Sequence, residues 1–169
     1  MTIPIFEPER LVAVLNRHGV RYVIIGGIAA GLQGAAWTTA DLDICYARDR
    51  VNLKALAEAL AELDARPVEW PADAPPPSLD ARALGHGDVW TLETRHGRLD
   101  LIGMPAPGID HAFLARTAER FEVDGEPILV AGLEELMAMK RAAGRPQDRA
   151  HLELLMAARE LAGASGDEE

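Results

Sequence analysis

Two aspartates, Asp41 and Asp43, stand one residue apart in the stretch "TTADLDICYA" (38–47). Leu42 and Ile44 beside them give the alternation of a half-buried strand, in which successive side chains point to opposite faces. Both carboxylates therefore share a face, and like charges that close repel unless a cation lies between them. A third acid, Asp100, has similar apolar flanks in "RLDLI" (98–102) and projects opposite to Leu99 and Leu101. If the two strands are neighbours, three carboxylates converge as hard oxygen ligands suited to magnesium or manganese. Upstream, "RYVIIGG" (21–27) is an apolar run ending in Gly26 and Gly27. A bare backbone there lets a phosphate approach, and the N-terminus of the following helix favours an anion. Glycines for phosphate, then carboxylates for a metal, make a phosphoryl- or nucleotidyl-transfer site.

The elements that must position these residues follow from the apolar pattern. Residues 8–18 form a helix, with Pro8 in its first turn, Leu11, Val12 and Leu15 at helical spacing, and Gly19 as a stop. Residues 21–27 and 41–47 are strands, and 28–35 between them are small and helix-tolerant. Asp49 caps a helix whose Leu53, Leu56, Ala57, Leu60 and Leu63 make a core-facing stripe. The stretch 66–87, with "PADAPPP" inside it, reads as a proline-rich loop. Hairpins follow at 89–103 about His96-Gly97 and at 120–131 about Asp124-Gly125. Helices over 133–144 and 147–162 are separated by Gly144-Arg145-Pro146. The fold class is α+β: a mixed, mostly antiparallel sheet flanked by helices, with further helices at the C-terminus. We expect an α/β core over 1–131, a helical segment packed on it over 132–163, and a flexible tail over 164–169.

The chain has 169 residues and 49% hydrophobic content, enough for one domain with a real core. Its 27 acidic and 17 basic residues give a net charge of -10, which opposes binding to duplex DNA. The single cysteine, Cys45, excludes an internal disulfide and a multi-cysteine zinc site, and suits a reducing cytosol. No stretch approaches the roughly 20 apolar residues of a membrane span, and "MTIPIFEPER" lacks the pattern of a signal peptide. A cytoplasmic protein with no membrane partner is expected. His86, His96 and His111 have no metal-ligand spacing and read as surface or turn residues. Trp70 and Trp90 read as packing, and Cys45 as a buried thiol.

"GGIAAGLQGAAWTTADLDI" (26–44) resembles motif I of the DNA polymerase β-type nucleotidyltransferase superfamily, in which a Gly-Gly or Gly-Ser precedes an Asp-x-Asp and a later third acid. Within that superfamily the chain resembles the minimal nucleotidyltransferases and the AbiEii-like toxins of toxin–antitoxin systems. "LEELMAMKRAAGRPQDRAHLELL" (133–155) is similar to the helical segment of those groups. The resemblance implies a metal-dependent transfer of a nucleoside monophosphate from a nucleoside triphosphate to an acceptor hydroxyl. It implies Gly26 and Gly27 on the triphosphate, Asp41 and Asp43 on the metal, and Asp100 on a second metal or the acceptor. Thr39 would support the loop or touch phosphate, Lys140 would contact the nucleotide phosphates, and Arg145 and Asp148 would lie near the site. The implied cofactor is Mg2+ or Mn2+. The acceptor stays open among a tRNA end, a protein hydroxyl and a small molecule, and a cognate antitoxin is a candidate partner.

The chain departs from that pattern at Trp37, where many relatives have arginine, at Gln147 in place of a lysine, and at His151 in place of an aspartate. Those changes remove positive charge and one acid. They leave room for an alternative, a catalytically silent nucleotide-binding or regulatory, antitoxin-like protein of the same fold. Of the clustered bases Lys140, Arg141, Arg145 and Arg149, Arg141 reads as an outward, solvated residue.

Overall fold

A computed structural model describes residues 5–166. Helix α1 (Pro8–Arg17) buries Leu11, Val12, Val14 and Leu15, and Gly19 takes the left-handed φ of +72° that ends it. Strand β1 (Tyr22–Ile25) is buried at every position and runs directly into α2 (Gly26–Leu32). The helix thus begins at the glycine pair itself, ahead of the expected 28–35. Strand β2 (Asp41–Tyr46) follows, then α3 (Arg50–Glu62), whose first turn is capped as expected: the Asp49 carboxylate accepts the Asn52 N–H.

The proline-rich stretch 66–87 is more ordered than a loop. It holds the two-residue strand β3 (Arg66–Pro67) and helix α4 (Ala81–His86), capped where the Asp80 carboxylate accepts the Ala83 N–H. Strands β4 (Val89–Thr94) and β5 (Gly97–Ile102) form the first hairpin, with Arg95 and His96 as its turn and Gly97 at φ +106°. Helix α5 (His111–Thr117), also capped by an aspartate, Asp110, was not anticipated. His86 and His111 accordingly lie in helices, and His96 in its turn faces the Glu7 carboxylate at 3.2 Å. Strands β6 (Glu119–Val123) and β7 (Glu126–Val130) make the second hairpin about Asp124 and Gly125. Helices α6 (Leu133–Ala143) and α7 (Pro146–Gly166) complete the described chain. Helix α7 runs to Gly166, into the expected tail; residues 167–169, and residues 1–4 of the N-terminal stretch read above for a signal peptide, lie outside the described residues.

The seven strands of the described residues form one mixed, mostly antiparallel sheet in the order β3-β4-β5-β2-β1-β7-β6. Two neighbouring pairs are parallel, β2 with β5 and β1 with β7. On one face of the central strands, Leu42, Ile44, Leu92, Leu99 and Leu101 are fully buried. Burying each such side chain stabilises the fold by about 1.5–3 kcal/mol. That contribution holds β2 and β5 side by side although their other faces carry the acids. Among the described residues no helix is long and apolar enough to cross a membrane.

Candidate active site

The parallel pairing of β2 with β5 sets Asp43 opposite Asp100 and Asp41 opposite Arg98. One carboxylate oxygen from each of Asp41, Asp43 and Asp100 lies within 4.8 Å of the others. Thr39 orients the group: its hydroxyl donates to Asp41 Oδ1 at 2.8 Å. Burial, followed by the charges of Asp41 and Asp100, pushes the Asp43 carboxyl up to about 8. Burial raises Asp100 as well, while the hydrogen bond from Asp43 opposes that rise. Without a cation, burial and mutual repulsion therefore favour the protonated form of this pair. Asp100 Oδ1 is buried with no hydrogen-bond partner, an arrangement that costs stability until a donor or a metal arrives. Three converging hard oxygens, with Asp100 Oδ1 orphaned beside them, fit a small divalent cation.

The glycines answer to the same carboxylates. Gly26 has φ +69°, and a Cβ there would lie 2.0 Å from Asp43 Oδ2. A Cβ on Gly27 would meet Thr39 Cβ at 2.7 Å and Trp37 Nε1 at 2.9 Å. Gly26 thus lets the chain turn from β1 into α2 over the acids, and Gly27 lets α2 rest on the 37–39 loop. Gly26→Ala adds about 1–2 kcal/mol of backbone strain and displaces Asp43. Its expected outcome is a lower melting temperature together with weaker Mn2+ binding by calorimetry; unchanged Mn2+ binding would separate the glycine from the acids.

Across from the acids, α6 presents Lys140. Gly144 ends that helix at φ +62°, and the reversal brings Arg145 and Asp148 back beneath the lysine. Asp148 has a side chain only 1% exposed, and Lys140 Nζ donates to its Oδ1 at 3.3 Å. Arg145 donates its backbone N–H at 3.0 Å and its Nε at 2.8 Å to Asp148 Oδ2, and its Nη2 at 3.2 Å to Oδ1. These donors, Arg145 foremost, hold the Asp148 carboxyl well below the usual range. Lys140 also lies 5.2 Å from the centre of the Trp37 ring, and its charge opposes the rise at Asp43. Gly26, Trp37, Asp43, Lys140, Arg145 and Asp148 line one cleft of about 290 Å³.

The sequence-derived residues divide as follows. Asp41, Asp43, Asp100 and Thr39 meet in one cluster against Gly26 and Gly27, and Lys140 and Arg145 meet on Asp148 at the far side. Asp148 is an internal anchor for the two cations, a placement the sequence did not reveal. Arg141 and Arg149 are exposed. Trp70 is 43% exposed and braces its own loop, donating Nε1–H to the Pro75 carbonyl at 3.0 Å; Cys45 is fully buried.

No family model matches the chain, and no curated protein does. Solved structures do. A provisionally assigned nucleotidyltransferase from Thermotoga maritima superposes with a TM-score of 0.54 at 17% identity, over 89% of this chain and 94% of that one. ANT(2″)-Ia, solved in complex with adenylyl-2″-tobramycin, superposes with a TM-score of 0.57 at 16% identity, over 94% of this chain and 89% of that one. The fold is that of the nucleotidyltransferases.

Within the nucleotidyltransferase fold, two of the chain's departures turn out to be a single feature. Trp37 and His151 stack on one another, with ring centroids 3.9 Å apart and planes tilted by 32°. An aromatic contact thus joins the two positions at which the resemblance implies an arginine and an aspartate. Burial, and after it the Lys140 charge, lowers the His151 pKa, so the imidazole packs against Trp37 as a neutral ring. Sequence spacing gave no sign of this pairing, because the 37–39 loop and α7 meet only through the tertiary fold.

Proposed function

We propose that the chain is a metal-dependent nucleotidyltransferase, moving a nucleoside monophosphate from a nucleoside triphosphate to an acceptor hydroxyl with release of pyrophosphate. The observation that carries this reading is the convergence of Asp41, Asp43 and Asp100 beside a glycine turn and opposite a lysine–arginine pair. Bound Mg2+ or Mn2+ supplies Lewis-acid polarisation of the phosphoryl group and offsets charge on the attacking and leaving oxygens. Asp41, oriented by Thr39, and Asp43 hold that ion, and Asp100 either joins them or takes the proton of the acceptor hydroxyl. Gly26 and Gly27 leave the backbone open to the triphosphate. Lys140 faces its phosphates, Arg145 stands beside it, and Asp148 fixes both cations from beneath. Much of the rate then comes from positioning and fixed charge.

Charge reversal separates the cations. Lys140→Glu should weaken nucleoside triphosphate binding by about tenfold or more, or about 1.4 kcal/mol. Arg141→Glu, on the exposed side of α6, should leave it nearly unchanged. Equal losses in the two variants by calorimetry would remove Lys140 from the site.

The Trp37–His151 stack favours a second reading, a nucleotide-binding protein of the same fold that does not turn over and acts as a regulator or antitoxin-like partner. A role as the toxin of a toxin–antitoxin pair, acting in the cytoplasm on a tRNA end, a protein hydroxyl or a small molecule, belongs to the first reading. Incubation with each α-labelled nucleoside triphosphate, Mg2+ and a mixture of RNA and protein decides between them. The enzyme reading expects pyrophosphate and a labelled acceptor. Tight metal-dependent nucleotide binding without either product supports the silent protein, and no nucleotide binding contradicts both.

A further inference from the structure

The cleft has a second wall with a different chemistry. In the β4–β5 hairpin Thr91 lies opposite Asp100, and Val89 lies opposite Ile102. Residues two apart on a strand share a face, so Val89 and Ile102 form the next side-chain row beyond Asp100. The chain leaving β5 adds Met104 and Pro105 to the same cleft. Val89 is 62% exposed and Met104 50% exposed. Large apolar side chains this open, rimming a cleft with convergent polar groups, are what a bound molecule covers.

Charge narrows what that molecule is. The acids among the residues lining the cleft are Asp43 and Asp148. Asp43 belongs to the metal cluster, and Asp148 already accepts from Lys140 and Arg145. Asp88, next to Val89, is already paired with Arg48 at 2.8 Å. Among the described residues lining the cleft, therefore, no unpaired carboxylate meets an ammonium group along the apolar wall, and a polyamino sugar such as tobramycin has no partner there. A polyanionic nucleic acid is opposed by the net charge of -10. The position is equally selective: the glycine turn and Lys140 lie on the Asp43 side, whereas the wall continues along β5 from Asp100.

We propose that the acceptor carries its hydroxyl on an uncharged, largely apolar group that rests on Val89, Ile102, Met104 and Pro105. This rests on the nucleotidyl-transfer reading, in which Asp100 faces the acceptor. A neutral alcohol there presents its oxygen to Asp100 while its apolar body excludes water from the reacting atoms.

Methyl NMR of Val89, Ile102 and Met104 tests the assignment without requiring turnover. The full-length protein, with Mg2+ and a non-transferable α,β-methylene nucleoside triphosphate, is titrated separately with 2-phenylethanol and with ethanolamine. The proposal expects saturable shifts of these methyls with 2-phenylethanol, none with ethanolamine, and the same shifts whether or not the nucleotide analogue is bound. Met104→Glu should weaken 2-phenylethanol binding by about tenfold, because a charge then stands where the apolar body packs. Absence of shifts at these methyls, equal binding of ethanolamine, or displacement of 2-phenylethanol by the nucleotide analogue overturns the proposal; displacement would make the wall a base subsite. Failure of the analogue to bind while the 2-phenylethanol shifts persist overturns the nucleotidyl-transfer reading instead, and leaves the wall's preference for uncharged alcohols standing.

Discussion

Asp43→Asn should abolish metal-dependent nucleotidyl transfer and, in chelator at pH 8, raise the melting temperature. The two effects share one cause. Burial and the neighbouring charges of Asp41 and Asp100 lift the Asp43 carboxyl to about 8 in the folded, metal-free protein, against an ordinary value near 4 in the unfolded chain. Between those values the folded state holds a proton that the unfolded state has released. Stability therefore falls as pH rises from about 4, and the loss is complete once pH passes the folded value. Each tenfold difference in proton affinity corresponds to about 1.4 kcal/mol, so the penalty at pH 8 amounts to several kcal/mol. Asparagine cannot ionise and keeps the shape, so its melting temperature in EDTA should stay nearly flat from pH 5 to pH 8 while that of the wild type declines. Mn2+ should restore the wild type at pH 8 and leave the variant unmoved. A wild-type melting temperature in EDTA that does not fall across this range would contradict the strained-carboxylate account.

Asp100→Asn should behave differently. If this residue takes the proton of the acceptor, the variant binds nucleoside triphosphate with Mg2+ while kcat falls by about 10²–10⁴-fold, the range of a lost general base. Loss confined to kcat, with nucleotide affinity intact, marks an interaction made in the transition state. A variant with unchanged turnover on an identified acceptor would remove Asp100 from the mechanism, and a variant that no longer binds Mg2+ would make it a ligand of the first metal.

The near-at-hand parts of this site were legible in the sequence, and the distant ones were not. Period-two alternation alone places Asp41 and Asp43 on one face, because Leu42 and Ile44 must enter the core. The same alternation orients Asp100 within its hairpin, but nothing local says that β5 lies parallel against β2; that follows from how the whole sheet assembles. The resemblance supplied that juxtaposition as an expectation, and the Asp43–Asp100 register provides it. Helices α4 and α5 were missed although each carries a signal, an aspartate three residues before the N–H it caps, at Asp80 and Asp110. The prolines of 66–87 favour a loop over α4, and the short stretch between the two hairpins that holds α5 carried no assigned element. The resemblance placed Asp148 near the site, but nothing in its sequence neighbourhood says that it is buried. Its burial is a consequence of Lys140 and Arg145 closing on it from either side of Gly144. The Trp37–His151 stack was legible only as two separate departures, since residues so far apart in the chain meet through packing alone.

Calorimetric titration of the four nucleoside triphosphates, with Mg2+ and with EDTA, tests the central claim most directly. The account predicts saturable binding of at least one of them in Mg2+, little in EDTA, and no metal-dependent binding in the Asp41→Asn, Asp43→Asn double variant. Equal affinity with and without metal, or in wild type and double variant alike, would mean that the three carboxylates share a face for some reason other than a divalent cation and the nucleotide it carries.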